Sequence, residues 1–298
     1  WAEKSVPMPT PSSYASRYLP VHVPNGASFI PVRIDRYHLG PPSTPAQQQL
    51  WSALGDHFSQ QKKKNPGYEL ALTVNNAPFS VGSREQIRMP SARPFWGKGS
   101  PEDCQVVLQL ALFFNLATAL NLQKWANDNL GLDCNGFAGN YIFHALIGNP
   151  WWSLSGGDEP GPSQTIDKLF AWAAMKDESL AVEDLDDLDP QKTYMIVRTN
   201  QSGRVIPGPN PVGHIALTDP GQFNPSYSSM DLTRANDNMI GNPALQTVES
   251  AGEKRNGISQ GLHKNWMVFI RALKPRAVFE VNRDNIRKAD TVKLAPLP

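Results

Sequence analysis

Through the first 175 residues apolar positions recur at three- and four-residue intervals, and after about residue 190 they change to short continuous runs. Leu50, Leu54 and Phe58 share one face of residues 46–61, which predicts an amphipathic helix. Lys62, Lys63 and Lys64 after it read as a solvated C-terminal end. Ser100-Pro101-Glu102-Asp103 announces another helix, with a capping serine, proline at the first helical position and acids in the first turn. The apolar run that follows predicts a helix to about residue 126, a turn over 127–132 and a further helix from Cys134 to about residue 146. Ile166, Leu169, Phe170 and Ala173 give one buried face to a helix over 165–175.

Residues 194–199, 213–218, 245–250, 266–273 and 277–281 then form five β-branched, aliphatic or aromatic runs between Gly-, Pro- and Asn-rich turns. Helices first and strands second predict an α+β fold, with an antiparallel sheet of about five strands packed on the Cys134 helix. The tail, 293–298, is expected to be an ordered or frayed extension. Residues 1–45 are proline-rich and low in charge, which predicts an extended path over a surface with one short strand at 28–34. Residues 68–74 alternate loosely like a strand, and the stretch from there to Gly99 reads as loop. The chain thus divides into a Pro-rich N-terminal region, 1–99, with an accessory, bracing or regulatory role, and a catalytic domain, 100–298.

Charge narrows the partners. The 28 basic and 27 acidic side chains nearly cancel, which argues against nucleic acid or an anionic membrane as the main partner. The longest apolar run, 106–122, is broken by Gln109, Asn115, Thr118 and Asn121 and falls short of the ~18 unbroken residues of a membrane span. The chain opens on Trp1, which is consistent with signal-peptide removal or a cloning boundary.

The chemistry centres on Gly131-Leu132-Asp133-Cys134-Asn135-Gly136-Phe137. A thiol in the first turn of a helix feels the positive end of the helix dipole, which favours the nucleophilic thiolate. The other cysteine, Cys104, lies on an apolar helix and reads as a small buried hydrophobe; a Cys104–Cys134 disulfide would silence the nucleophile. The candidate base is His214, which opens an apolar strand after a Pro/Gly turn. Glu249, a carboxylate among apolar strand residues, is the candidate to orient it. Backbone N–H groups at the start of the Cys134 helix offer an oxyanion hole, and Asp133 and Asn135 flank the substrate there. Trp151 and Trp152 either line the cleft or pack their loop. Asp219 competes with Glu249, but five residues along an extended strand place it roughly 16 Å from His214. His144 and His263 read as structural or surface residues. Asp184, Asp186, Asp187 and Asp189 lack the glycine and terminal glutamate of an EF-hand loop and read as a solvated turn, so no metal and no cofactor is expected.

The cysteine motif is similar to the Asp-Cys-Ser-Gly-Phe that opens a helix in the NlpC-type cell-wall peptidases and the related CHAP amidases, a branch of the papain-like superfamily. Gly213-His214-Ile215-Ala216-Leu217 matches their histidine strand, and Glu249 their third polar residue. Residues 188–196 resemble the approach to their first sheet strand. The resemblance covers roughly residues 100–275. It implies a papain-like fold, Cys134 as nucleophile, His214 as base and Glu249 as orienting residue. It also implies hydrolysis of amides in peptidoglycan stem peptides or cross-links through an acyl-enzyme thioester. Such an enzyme acts outside the cytoplasm, either remodelling the wall or as an antibacterial effector with an immunity or inhibitor protein as partner. The chain departs from the pattern at Asn135, which stands for serine, in the absence of the preceding tyrosine and Trp-Gly-Gly, and in its spacing. Cys134 and His214 are 80 residues apart, and the 35 residues from His214 to Glu249 imply an inserted loop at 220–243. Two other readings stand beside it: a papain-like acyltransferase or lipid-directed hydrolase, and a binding module with an inactive catalytic part.

Overall fold

The computed structural model describes residues 8–40, 43–153, 159–176, 182–208, 213–228, 239–252, 254–255, 258–259, 261–273, 277–283 and 286–298. Trp1, Pro41, Pro42, Pro211, Val212 and the middle of the expected insertion lie outside the described residues.

The N-terminal region builds elements of its own. Thr10 caps α1 (Pro11–Ser16), its Oγ1 accepting from Ser13 N at 3.2 Å. β1 (Val21–Asn25) and β2 (Ser28–Val32) form a hairpin. Thr44 caps α2 (Pro45–Lys64), which buries Leu50, Leu54 and Phe58 as their spacing predicts. β3 (Leu70–Val74) and β4 (Ala77–Val81) pair through Asn75-Asn76, both at positive φ (51° and 62°), the conformation a two-residue hairpin turn requires. Residues 1–45 were expected to lie extended over a surface; instead Tyr14, Tyr18, Val21, Val23 and Val32 of this stretch are buried in the main core.

Ser100 caps α3 (Pro101–Phe113) through a reciprocal capping box with Asp103. The helix expected to reach residue 126 stops at Phe113: Asn115 takes a left-handed φ of 56°, and α4 (Leu122–Asn129) starts anew. α5 (Cys134–Asn140) runs on into a π-helical turn, Tyr141–Leu146. α6 (Ile166–Lys176) follows.

The strands are β5 (Tyr194–Arg198), β6 (Ile215–Asn224), β7 (Ala244–Ser250), the short pair β8 (Lys254–Arg255) and β9 (Ile258–Ser259), β10 (Leu262–Ala272), β11 (Phe279–Arg283) and β12 (Ile286–Pro296). Six of them close an antiparallel barrel in the order β10-β11-β12-β5-β6-β7. This corrects the expected papain-like arrangement of leading helices on a five-stranded sheet: the architecture is a closed six-stranded barrel with small two-stranded sheets and few helices. The element that makes the difference is β12, whose last residues fall in the stretch 293–298 that was expected to be an ordered or frayed extension. β12 pairs with β11 through Val292↔Phe279 and with β5 through Leu294↔Ile196, so both sheet edges are used up. Its apolar Val292 and Leu294 alternate with Thr291 and Lys293, which breaks up any apolar run there.

Alternate residues of the strands fill the barrel. Tyr194, Ile196, Leu245, Met267, Phe269, Phe279, Val281, Val292 and Leu294 form one buried cluster. At the mouth where β5, β7 and β11 end, the same inward row turns polar, with Arg198, Glu249 and Arg283. The opposite face of the strands, with Met195, Val197, Ile215, Leu217 and Val248, joins the main core under the helices. α5 packs on β6 and β7, and α6 on β5 and β12. No helix among the described residues is long and apolar enough to cross a membrane.

Candidate active site

The cysteine motif is held by the N-terminal region. Leu132 N donates to Arg36 O (2.9 Å), His38 N donates to Leu132 O (3.1 Å), and Asp133 N donates to Gly97 O (3.0 Å). From the barrel side, Ser250 Oγ donates to Leu132 O at 2.8 Å. Asp133 caps α5: its Oδ1 accepts from Gly136 N and its Oδ2 pairs with Lys98 Nζ, both at 2.5 Å. Burial raises the Asp133 carboxyl, against the pull of Lys98 and the Gly136 amide. Glycine at 136 is a packing requirement, because a Cβ there would lie 1.9 Å from Gly97 O.

Cys134 is 94 % enclosed yet reaches the floor of an open cleft of about 740 Å³, which it shares with His214. Tyr37, Leu39 and Trp96 of the N-terminal region wall one side, and Thr165 and Ile166 at the start of α6 wall another. The neighbouring Asn135 ties Cys134 to that second wall: its Nδ2 donates to Gln164 O at 3.0 Å and its Oδ1 lies 3.6 Å from Cys134 Sγ.

His214 precedes β6 directly and is fixed by its backbone, its carbonyl accepting from Arg198 N at 3.0 Å. The imidazole and the Cys134 thiol line the same cleft. The imidazole Nε2 makes a short contact with Glu249 Oε2. Glu249 is fully buried and draws in further partners: Asn265 Nδ2 donates to Oε1 at 2.9 Å, and Arg283 Nη1 donates to Oε2 at 3.3 Å. His263, directly across the β7–β10 ladder, brings Nε2 to 3.7 Å from Oε1. Burial opposes charge on both members of the His214–Glu249 pair, but their mutual attraction wins. The Glu249 charge and hydrogen bonds from Glu249 and Cys134 push the imidazole up to about 9, with Arg283 working against it. Against its burial, His214, Arg283 and His263 together hold Glu249 far below the usual carboxylate range.

The other candidates lie elsewhere. Asp219 is buried but takes Ser12 N at 2.8 Å and stands 3.7 Å from Lys264 Nζ, bracing α1 and not His214. Trp151 and Trp152 pack with Phe79, ring centroids 4.9 and 6.4 Å away, and neither lines the cleft. Arg93, paired with Asp103, anchors this loop by donating to Trp151 O at 2.8 Å. His144 Nδ1 bonds with Asn149 O at 3.0 Å, in the π-helical turn that follows α5. Cys104 is a free, wholly buried thiol whose ionisation burial pushes well up, and Cys134 is likewise free. Asp184 and Asp187 close a small capped turn, and the described residues include no group of three or more His, Cys, Asp or Glu able to hold a metal ion. His263, read from sequence as a surface residue, instead faces Glu249.

Several functional neighbours were not singled out from the sequence: Tyr37, Lys98, Arg198, Asn265, Arg283 and Asp290. Arg283 carried the same signal as Glu249, a charge at the end of an apolar strand, Val278-Phe279-Glu280-Val281-Asn282-Arg283. Comparison of the chain with protein-family models, with curated proteins and with solved structures gave no match.

Proposed function

We propose that the protein is a cysteine amidase or endopeptidase that works through an acyl-enzyme thioester, with Cys134 as nucleophile, His214 as acid and base, and Glu249 as the group that orients the imidazole. The observation that carries this reading is the convergence at one open cleft of a thiol on a capped helix start with an imidazole whose Nε2 is held by a buried carboxylate. An imidazolium between a thiol and a carboxylate favours the thiolate–imidazolium pair over the neutral pair. The thiolate attacks the amide carbonyl carbon, and the resulting oxyanion is met by backbone N–H groups opening α5. Collapse breaks the C–N bond while the His214 imidazolium protonates the departing amine. The neutral imidazole then takes a proton from water as it attacks the thioester, and the C–S bond breaks to release a carboxylic acid and restore the thiolate.

The substrate class rests on the likeness of Asp133-Cys134-Asn135-Gly136-Phe137 and Gly213-His214 to the motifs of NlpC-type and CHAP enzymes. It points to amides of peptidoglycan stem peptides or cross-links, reached outside the cytoplasm by a remodelling enzyme or an antibacterial effector that an immunity protein would block. The barrel architecture does not enter this argument, which stands on the site. Incubation of purified wild type and Cys134→Ala with cell-wall sacculi tests it. Soluble muropeptides are expected from the wild type alone, and equal release by both proteins overturns the proposal.

A second reading keeps the chemistry and changes the acyl donor. Tyr37, Leu39, Trp96 and Ile166 give the cleft an apolar lining suited to an acyl chain. A lipid-derived acyl group on Cys134 after incubation with phospholipid vesicles would favour that donor.

A further inference from the structure

Five ionic side chains run in an unbroken line through the mouth of the barrel. His214 meets Glu249 Oε2; the same oxygen accepts from Arg283 Nη1 at 3.3 Å. Arg283 Nη2 lies 3.7 Å from Asp290 Oδ2, and Asp290 Oδ1 pairs with Arg198 Nη2 at 2.7 Å. Arg198 returns to the cleft wall beside His214. Glu249 has no exposed surface and the Arg283 side chain is 5 % exposed, so water screens none of the central contact.

We propose that Arg283 is a positioning residue for the hydrolysis: it grips Oε2 of Glu249 from β11, dividing that oxygen between two cations so that the carboxylate orients His214 without locking its proton in place. This rests on the cysteine-hydrolase reading, in which one imidazole must give a proton to the leaving amine and later take one from water. A buried carboxylate with a single cationic partner would bind that partner's proton tightly. Here the carboxylate is shared, and Arg283 is itself divided between Glu249 and Asp290. Only a planar, two-pronged guanidinium spans both carboxylates; an ammonium is a single point of charge.

The charged and titratable groups around the pair enter its balance from every side. Glu249 is faced by His214 ahead of β6, by His263 on β10 and by Arg283 on β11. His214 is faced by Cys134 on α5 and Glu249 on β7, and a small cavity beneath its ring is lined by Arg198, Arg283 and Asp290. Arg283 opposes the proton on His214, and Asp290 offsets Arg283.

NMR titration of histidine-labelled protein tests the inference without any substrate. Wild-type His214 is expected to titrate near pH 9. Arg283→Met is expected to move the midpoint upward by on the order of one pH unit. Arg283→Lys should return it part of the way, and Asp290→Asn, which takes one carboxylate away from Arg283, should move it downward. A folded Arg283→Met protein with an unmoved or lowered midpoint overturns the proposal. Should circular dichroism show that variant unfolded, Asp290→Asn decides: a downward shift supports the proposal and no shift overturns it. Muropeptide release separates this result from the parent reading. Wild-type protein inactive on sacculi with the titration shifts intact removes peptidoglycan as the substrate and leaves the coupling of Arg283 to the pair; active protein without the shifts removes the role of Arg283 alone.

Discussion

Glu249 shows most directly how single side chains decide this site. A bare buried carboxylate costs several kcal/mol, and here polar partners from β10, β11 and the start of β6 converge on it. The His214–Glu249 pair therefore ties stability to pH in a definite window. The imidazole is raised from 6.5 to about 9, so its contribution is complete below pH 6.5 and is lost as pH rises through 9. Glu249 is lowered from 4.5, so its contribution is complete above pH 4.5 and fades only as acid protonates the folded carboxylate. Thermal unfolding of the wild type should show the pair's full contribution between pH 4.5 and 6.5 and lose on the order of 3 kcal/mol by pH 9–10. His214→Gln should lose most of that upper slope, and an equal slope in the variant would place its origin elsewhere. Cys134, His214 and Glu249 were legible because each is an unusual residue type in its local pattern. Arg283 and Asp290 were equally unusual, but nothing local says that Arg283 reaches Glu249 or that Asp290 in turn meets Arg283.

Among the elements, α5 and β12 matter most. α5 is short, and its start is fixed by close backbone approach to residues 97–98, with Gly136 leaving room for Gly97 O. Gly136→Ala forces one backbone away from the other; we expect about 1–3 kcal/mol of lost stability, read from denaturant midpoints, and slower alkylation of Cys134 as its helix start shifts. A midpoint equal to wild type would mean that Gly97 moves at little cost. β12 closes the barrel, and removal of residues 286–298 exposes the edges of β5 and β11 together. The truncated chain should elute as aggregate and lose its cooperative unfolding transition; a monomer with wild-type cooperativity would show that closure is dispensable. The helix starts were legible because capping chemistry is local, as at Ser100-Pro101-Glu102-Asp103. The break at Asn115 was not, because the apolar run continues past it, nor was β4, which was read as loop.

At the scale of the whole molecule, residues 8–99 and the barrel share one core and one cleft. Asp35 O accepts from Leu262 N at 2.9 Å, and residues 36–38 pair with the approach to Cys134, so one segment braces both Cys134 and the β10 side of the cleft. Residues 100–298 produced alone should therefore fail to give a cooperative fold, and adding residues 1–99 as a separate chain should restore part of it. Normal folding of 100–298 by circular dichroism and thermal melting would show that the shared core is not needed. Local signals in the chain were enough for the capped helices, most of the short strands, and the choice of Cys134, His214 and Glu249 as candidates. Only the tertiary structure decided that the sheet closes, that the N-terminal region walls the cleft, and that Arg283 and Asp290 stand behind Glu249. Periodicity and capping act within a few residues of chain, whereas strand closure and charge pairing depend on distances between segments far apart in sequence.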